Sequence, residues 1–306
     1  MRTRALLAAL AAFAVACPEA ESLPPFAFGS LPEQRFRITT DERMQVDGDD
    51  VQIQRIADVR LAIETHEGGR SELVLYLDRY YLSVEGAPGG DTELSISEAG
   101  LVTRGGPSGE LVLSPDEAAP GGGTIGQLLD KPVGGVFVNA GGEMQGSVWQ
   151  SYDPILSGIR LIDWVLFSLP SVGGAAPASW DGSRELPGIG KYVLGIELPL
   201  RYESRIDEDG DTVRVRSSGV AQRSSLRIAP GLEGAIQLDQ TAEARLDLDG
   251  RVLGSRVELR MRFEGSDGSL ISSLHRFELA CRDCGEPEDS SVPVNPHAEE
   301  PDTTVQ

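Results

Sequence analysis

Histidine and cysteine are both scarce in this sequence, with three residues of each among 306. Acid–base catalysis and zinc sites depend heavily on these two side chains, so few candidates exist for either. The motifs G-x-S-x-G, G-x-x-x-x-G-K-S/T and H-E-x-x-H are missing, and Gly188-Ile189-Gly190 stands without the rest of a dinucleotide fingerprint. We therefore identify no catalytic residue, no metal ligand and no cofactor site, and predict that the protein is not an enzyme.

Positive charge is also in short supply. Lys and Arg total 27 against 48 Asp and Glu, which gives a formal net charge of -21. Such a protein repels the phosphates of nucleic acids and gains nothing electrostatically from an anionic lipid surface. Hydrophobic residues still make up 40% of the chain, enough for a packed core. We expect a folded acidic protein with no nucleic-acid partner.

The first sixteen residues have the layout of a secretory signal peptide. Two arginines precede an apolar run from Ala5 to Ala16, which ends in small residues. The run is shorter than the roughly 20 residues that a membrane-spanning helix needs. A buried N-terminal helix is the alternative, but prolines follow from Pro18 onward and would stop it. We predict that residues 1–16 are a signal peptide and that the protein is exported.

The segment Ala14-Val15-Ala16-Cys17 resembles the lipobox of bacterial lipoproteins, in which small residues precede a lipidated cysteine. The resemblance implies a diacylglyceryl group on the sulfur of Cys17, whose acyl chains anchor the protein in a membrane. The sequence departs from the family at Ala14, where leucine is usual, and it also satisfies the ordinary A-x-A cleavage rule. Both routes cut after Ala16, so only the lipid differs. We favour lipidation of Cys17, on a protein that faces the periplasm or the cell surface.

The other two cysteines, Cys281 and Cys284, form a C-x-x-C pair. In an exported protein this spacing favours a small structural disulfide, because disulfides persist in oxidising compartments. A redox centre and half of a zinc site are the alternatives. A redox pair would open a helix, whereas this pair follows a predicted strand. Zinc would need further ligands from His66, His275 or His297.

Two stretches at the ends of the mature chain have flexible compositions. Residues 17–34 are rich in proline and predict a linker that holds the folded part off the membrane. Residues 285–306 combine acidic residues with prolines, and low hydrophobicity with charge of one sign predicts disorder. A partner-binding tail is the alternative for the second stretch. The folded domain is expected at residues 35–284.

Apolar and polar residues alternate with a period of two through much of this domain, which is typical of half-buried β-strands. Pairs such as Asp47-Gly48 and Asp267-Gly268 predict tight turns, so neighbouring strands should be antiparallel. Residues 51–63 would extend about 43 Å as one strand at roughly 3.3 Å per residue. Strands of that length predict a long, curved antiparallel sheet, either a half-barrel or an open barrel. The residues expected on its apolar face are Phe36, Ile38, Val51, Ile53, Ala57, Val59, Leu61, Ile63, Ile196, Leu198, Leu200, Tyr202, Ala242, Ala244, Leu246, Leu248, Val257, Leu259, Met261 and Phe263.

A single buried helix is predicted near residues 153–168. Asp153 suits the N-cap, Pro154 suits the first turn, and apolar residues recur at helical spacing behind them. The wide apolar surface of this helix predicts that it packs on the concave face of the sheet. A faint similarity between residues 142–147 and 250–255 fits two related sheet halves around the helix, but a shared preference for hairpins explains it equally well.

Two polar features have both a structural and a functional interpretation. The acidic run 207–211 offers clustered carboxylates to Ca²⁺, but its Asp-Gly pair lies between alternating segments and makes a good hairpin turn. His275 shares a strand face with Phe277 and Leu279, where we favour a core histidine over a catalytic one.

The lipobox-like start, the proline-rich linker, the long strands and the apolar helix together resemble β-rich bacterial envelope lipoproteins. Some of these share the half-barrel layout of lipoprotein and lipid carriers. The resemblance covers residues 33–284 in layout and no motif beyond Cys17, so it identifies no ligand-binding residue. It implies a non-enzymatic protein that binds a lipid or another hydrophobic ligand in the concavity of its sheet. The alternative is a structural or protein-interaction module of the cell envelope, which would bind through its acidic surface or its strand edges.

Overall fold

A computed structural model of the chain describes residues 33–46, 49–66, 70–106, 109–118, 124–130, 132–138, 144–148, 179–189, 192–206, 211–229, 232–247 and 252–284. The predicted signal peptide, Cys17, nearly all of the predicted linker, the predicted helix near 153–168 and the tail 285–306 lie outside these residues. The predictions about them therefore stay predictions.

The described part of the chain consists of fourteen strands and one short helix. In chain order these are β1 Gln34–Val46, β2 Asp49–His66, β3 Arg70–Glu85, β4 Thr92–Ser97, β5 Gly100–Gly105, β6 Leu111–Leu113, α1 Ile125–Asp130, β7 Pro132–Val138, β8 Met144–Val148, β9 Ser179–Ile189, β10 Tyr192–Ile206, β11 Thr212–Ala229, β12 Leu232–Asp247, β13 Val252–Gly265 and β14 Leu270–Cys281.

All of these strands belong to one antiparallel sheet, which confirms the predicted fold class. Their order is β6-β5-β4-β3-β2-β1-β14-β13-β12-β11-β10-β9, with β7 added beside β3 and β8 beside β7. The first strand pairs with the last in the middle of the sheet, so the two wings of the sheet meet there. Among the described strands β6, β8 and β9 each have one strand neighbour, so this sheet does not close into a barrel.

The strands are long, as the alternation predicted. β2 and β11 each contain 18 residues, and β3 and β12 each contain 16. An 18-residue strand extends about 59 Å at roughly 3.3 Å per residue. Neighbouring strands are rotated by roughly 20–25° relative to one another, so a sheet of such strands twists strongly and cannot stay flat.

One face of the sheet carries the apolar core. Alternate side chains are buried almost completely, such as Leu198 and Leu238 at 0% exposure, while most residues between them are charged or polar and are less buried. Most of the residues predicted on this face are buried, Val51, Ile53 and Ile63 are half-buried, and Leu248 lies outside the described residues. The apolar core runs from β3–β5 on one wing to β10–β11 on the other. We call this surface the apolar face and the opposite one the polar face.

The described helix, α1, is a short element that the sequence patterns did not predict. Thr124 and Gln127 form a reciprocal capping box at its start, with N–H to side-chain oxygen distances of 3.3 and 3.4 Å. Ile125 and Leu129, one turn apart, are buried against the wing formed by β3, β4 and β5. In the described part of the chain, no helix has the length and hydropathy of a membrane span.

The turn between β13 and β14 has the geometry that its sequence predicted. Gly268 takes a φ of 89°, and the Asp267 carboxylate accepts hydrogen bonds from the backbone N–H and the hydroxyl of Ser269 at 3.0 and 2.7 Å. The Gly265 N–H donates to the Ser269 carbonyl at 2.8 Å and closes the hairpin. Asp47-Gly48 lies outside the described residues, but Val46 pairs with Asp49 across that turn.

Candidate functional site

A group of polar side chains lies on the apolar face, near the middle of the sheet. We call it the polar cluster, and it is drawn from four adjacent strands. Strand register places its members on one face: Thr40 lies opposite Arg55, Glu42 lies opposite His275, and Tyr80 lies opposite the core residue Ala57. Its members are Thr40 and Glu42 of β1, Arg55 of β2, Tyr80 of β3, and Ser273 and His275 of β14.

Burial sets the polar cluster apart from the other charged residues of the sheet. Glu42 is 8% exposed and His275 is 3% exposed, and the Arg55 side chain is 19% exposed. Apolar core residues border the group toward both ends of the strands, with Ile38 on one side and Met261 on the other. Buried charges are costly unless they are paired, so the contacts within this group determine whether it is stable.

Glu42 is the centre of the network. One of its carboxylate oxygens forms a short ion pair with Arg55, and the other lies 3.6 Å from Nδ1 of His275. The other ring nitrogen of His275, Nε2, lies 2.9 Å from the Ser273 hydroxyl. Burial alone would raise the pKa of Glu42, but the hydrogen bond with His275 and the charge of Arg55 outweigh it and hold this pKa below its ordinary value.

Two hydroxyls beside this network have no hydrogen-bond partner of suitable distance and angle. They belong to Thr40, which is 4% exposed, and Tyr80, which is 1% exposed. Burial raises the pKa of Tyr80 to about 12, against the opposing effect of nearby Arg55. Farther along the face, the side-chain oxygen of Gln240 on β12 is also buried without a partner. Unpaired buried polar groups are rare, and each one needs an explanation.

The order Glu42, His275, Ser273 matches the sequence of contacts in a serine hydrolase, but the surroundings do not suit that chemistry. Arg55 already holds the carboxylate that would orient the histidine. Ser273 lies within β14 and pairs with Met44 on one side and Met261 on the other. Its neighbouring backbone N–H groups therefore belong to the sheet ladder, and none is free to bind an oxyanion.

The polar face carries paired charges and two grooves. Arg216 lies 2.7 Å from Glu243 across β11 and β12, and Arg256 lies 3.2 Å from Glu278 across β13 and β14. Register places these four residues in one row, so positive and negative side chains alternate across the sheet. This row lines a groove of about 900 Å³, and a second groove of about 660 Å³ lies near β1 and β2.

Of the residues that the sequence singled out, the structure places one cysteine pair and one histidine. Cys281 and Cys284 lie at disulfide distance, with Cα atoms 5.6 Å apart, which supports the interpretation as a structural disulfide. The loop they close is fastened to β1, because the Arg282 N–H donates to the Arg35 carbonyl at 2.8 Å. His275 is buried, as predicted, but it belongs to a charged network and not to a purely apolar core.

The structure does not bring the other candidate metal ligands together into a site. His66 is the last residue of β2, far along the strand from the polar cluster, and His297 lies outside the described residues. In the acidic run 207–211 only Asp211 is described. Among the side chains that the structure describes, no three His, Cys, Asp or Glu residues lie together as a metal site would require.

The sequence analysis missed Arg55, Glu42 and Thr40, although a signal was present. Arg55 occupies an odd position in β2, between Ile53 and Ala57, where the alternation calls for an apolar residue. Thr40 and Glu42 occupy the corresponding positions of β1. Polar residues at successive inward positions of two adjacent strands predict a buried polar network, and only the register shows that they meet.

Comparisons with known proteins give no family. No family model matches the chain, and no curated protein matches it. Solved structures that align with the chain include DynF from the dynemicin biosynthesis pathway of Micromonospora chersina, at 10% identity and a TM-score of 0.22, covering 87% of this chain and 86% of that chain.

Two further structures overlap with the chain to a similar degree. The β domain of the Bordetella autotransporter BrkA has 11% identity and a TM-score of 0.24, covering 82% of this chain and 99% of that one. A DUF1329 family protein from Desulfovibrio piger has 10% identity and a TM-score of 0.17, covering 83% of this chain and 88% of that chain. Likenesses this weak carry nothing about ligand or activity to this protein.

Proposed function

We propose that this protein is a non-enzymatic, exported lipoprotein that binds a hydrophobic ligand against the apolar face of its sheet. The observation that supports this most is the extent of that face. It continues across the long strands of both wings, and its side chains are buried in the free protein, so a ligand would enter by displacing the groups that cover them. A surface of this size and chemistry suits a long apolar ligand.

The polar cluster supports a binding function over a catalytic one. A hydrolytic site needs a nucleophile that substrate can approach and N–H donors that receive the developing negative charge. Ser273 is 6% exposed, and the backbone around it is committed to pairing on both sides. A rigid, paired strand is a good platform for positioning a bound molecule and a poor one for attacking it.

The proposed cellular location is inferred from the N-terminal sequence. A signal peptide at residues 1–16 would direct export, and acyl chains on Cys17 would keep the protein at a membrane. The strong net negative charge gives the folded domain no attraction to anionic lipid. The covalent lipid would therefore provide the membrane contact, and the sheet would remain available for its own ligand.

The experiment compares the native chain with Cys17→Ser, both produced with their own signal sequence and purified without denaturation. Ala14 and Ala16 still permit ordinary signal cleavage of the variant, so the variant should be exported without an anchor. We expect an acylated N-terminal peptide from the native chain only. Mass spectrometry of solvent extracts should find a non-covalently bound hydrophobic molecule in both proteins.

The experiment tests the lipid anchor and the binding of a hydrophobic ligand independently. A native chain that starts at an unmodified Cys17 would refute the anchor. Extracts of the folded Cys17→Ser protein that contain no more lipid than an unrelated exported protein, prepared in parallel, would refute ligand binding.

A second candidate function is protein interaction at an edge of the sheet. Leu111 and Val112 of β6 are 43% and 60% exposed, and they lie on the last strand of one described edge. Exposed apolar edge strands pair readily with a strand of another chain. Crosslinking in intact cells would favour this function if Val112→Lys abolished capture of one envelope protein while the lipid content of the protein stayed unchanged.

A further inference from the structure

We infer that the polar cluster binds the polar group of an uncharged amphiphile that carries an ester or amide carbonyl. This inference rests on the proposed function and specifies the class of ligand. The apolar part of the molecule would lie along the apolar face on either side of the cluster, and its carbonyl would accept hydrogen bonds from the hydroxyls of Thr40 and Tyr80.

The unpaired hydroxyls give the first step of the argument. Thr40 and Tyr80 are both buried, and neither hydroxyl has a partner of suitable distance and angle in the described part of the chain. Arg55 lies close enough to the Tyr80 oxygen to lower its pKa, but arginine can only donate, so the Tyr80 O–H still has no acceptor. A sheet that needed only a core would do better with valine and phenylalanine at these positions, which have nearly the same shapes and no polar atom to bury. The two hydroxyls are therefore better explained as contacts to a molecule that the protein binds.

The positions of the two hydroxyls indicate which kind of group they would bind. Thr40 lies directly opposite Arg55 across β1 and β2, and Tyr80 is the diagonal neighbour of Arg55 across β2 and β3. The two hydroxyls thus lie on either side of one arginine, on three adjacent strands. Both can donate a hydrogen bond, so the group they suit best is an acceptor with two lone pairs, such as a carbonyl oxygen.

The charges of the polar cluster favour a ligand whose polar group is uncharged. The guanidinium of Arg55 is paired with Glu42, and the carboxylate of Glu42 also faces His275. The lowered pKa of Glu42 keeps this carboxylate ionised. A fatty-acid carboxylate would have to compete with Glu42 for Arg55 and would add a second negative charge to a buried site. An ester or amide makes no such demand, so the cluster favours an uncharged polar group.

The residues around the polar cluster are apolar and suit the acyl part of the ligand. Met44 and Met261 lie directly opposite Ser273 on the two neighbouring strands, and Ile38 pairs with Ala57 at the other end of the cluster. Methionine side chains adapt to irregular apolar shapes, which suits a flexible acyl chain. Because Tyr80 is 1% exposed, the side chains that cover it must move when the ligand enters.

The test uses the full exported chain carrying Cys17→Ser, which keeps the acyl chains of the anchor out of the measurement. After removal of bound lipid, titration calorimetry measures the affinity for 1-monodecanoylglycerol and for decanoate. The two probes share a ten-carbon acyl chain and differ in the charge of the polar group. The same titrations are made with Tyr80→Phe, with Thr40→Val, and with Tyr81→Phe as the matched control.

We expect monodecanoylglycerol to bind more tightly than decanoate. Tyr80→Phe and Thr40→Val should each weaken its binding by about tenfold, the effect of one neutral hydrogen bond. Tyr81→Phe should change nothing, because Tyr81 lies on the polar face, one residue out of phase with Tyr80. Both cluster variants should fold normally, since they remove hydroxyls that have no partner in the free protein.

Three results would overturn the inference or the function beneath it, and they are distinguishable. Equal affinity of the Cys17→Ser parent, Tyr80→Phe and Thr40→Val would show that the hydroxyls hold only water, while hydrophobic binding would stand. Tighter binding of decanoate would make the cluster an anion site. Binding of neither probe, with the protein folded by circular dichroism, would refute the proposed function itself.

Discussion

Glu42 and Arg55 are the two residues whose burial most needs a partner. Their side chains are 10% and 19% exposed and form a short ion pair between adjacent strands. Removing one member of a buried pair leaves the other charged and desolvated, which costs more than the pair itself contributes. The stability of the middle of the sheet therefore depends on both residues being present or both being absent.

We predict that Glu42→Gln lowers the free energy of unfolding by about 3 kcal/mol at neutral pH, because it leaves Arg55 without its counter-charge. The double variant Glu42→Leu with Arg55→Leu should recover most of this loss, since two apolar side chains of similar volume replace the pair. Urea unfolding followed by circular dichroism measures both. A double variant no more stable than Glu42→Gln would show that the pair does not behave as a unit.

The same variant has a pH dependence with a defined sign. The pKa of Glu42 in the folded protein is lowered, so the contribution of its carboxylate to stability is complete above the ordinary carboxyl pKa of about 4.3. That contribution is lost as the pH falls through the lowered value. The difference between the native chain and Glu42→Gln should be largest near neutrality and should vanish in acid. A difference that grows in acid would assign the effect to another group.

At the residue scale, the alternation of apolar and polar residues could be predicted from the sequence, but the role of the polar residue that interrupts it could not. The apolar face of β2 was recognised from residues such as Val51 and Ala57, and Arg55 was passed over because one exception does not change a period-two pattern. Arg55 pairs with Glu42, and Glu42 in turn faces His275, which is 233 residues away from it in the chain (275 − 42). Contacts of that kind depend on strand register, which one sequence does not determine.

At the scale of elements, long periodic segments were predictable and short ones were not. β2 and β13 present enough alternating residues to identify both faces of a strand. α1 has six residues, fewer than two helical turns, so no periodicity could build up. It forms because the capping box and the packing of Ile125 and Leu129 on the sheet stabilise it. The predicted helix near 153–168 lies outside the described residues.

We predict that Gly268→Ala destabilises the protein by about 1 kcal/mol. Gly268 has a φ of 89° in the turn between β13 and β14, and no atom lies within 4 Å of an added Cβ, so the cost is backbone strain and not a clash. Gly268→Asn is the matched control and should cost less, because asparagine tolerates positive φ. Thermal unfolding of the two variants compares them. Equal losses would assign the effect to something other than backbone conformation.

At the scale of the whole molecule, the strand order could not have been predicted. Tight turns indicated which consecutive strands pair, as in β1 with β2 and β13 with β14. The pairing of β1 with β14 joins the two ends of the domain, and nothing local in either segment specifies it. The polar cluster exists because of that pairing, since it places His275 and Ser273 beside Glu42. Site and topology were therefore unpredictable for the same reason.

The net charge of the chain affects the stability of the folded molecule as a whole. The whole chain has a formal net charge of -21, so like charges repel within it, and this repulsion favours expansion over folding. The exposed ion pairs of the polar face oppose it, but each contributes little, about 0–1 kcal/mol. Salt shortens the Debye length from about 30 Å at 0.01 M to about 8 Å at 0.15 M and so screens the long-range repulsion most.

We therefore predict that raising NaCl from low to physiological concentration increases the midpoint of thermal unfolding. A chain that ends at Cys284 loses the six acidic residues Glu286, Glu288, Asp289, Glu299, Glu300 and Asp302 and should show a smaller increase. Calorimetry of the two proteins at matched pH measures the effect. A midpoint that falls with salt would mean that the cross-strand pairs, such as Arg216 with Glu243, outweigh the net repulsion, and that the charge pattern of the polar face is a main source of stability.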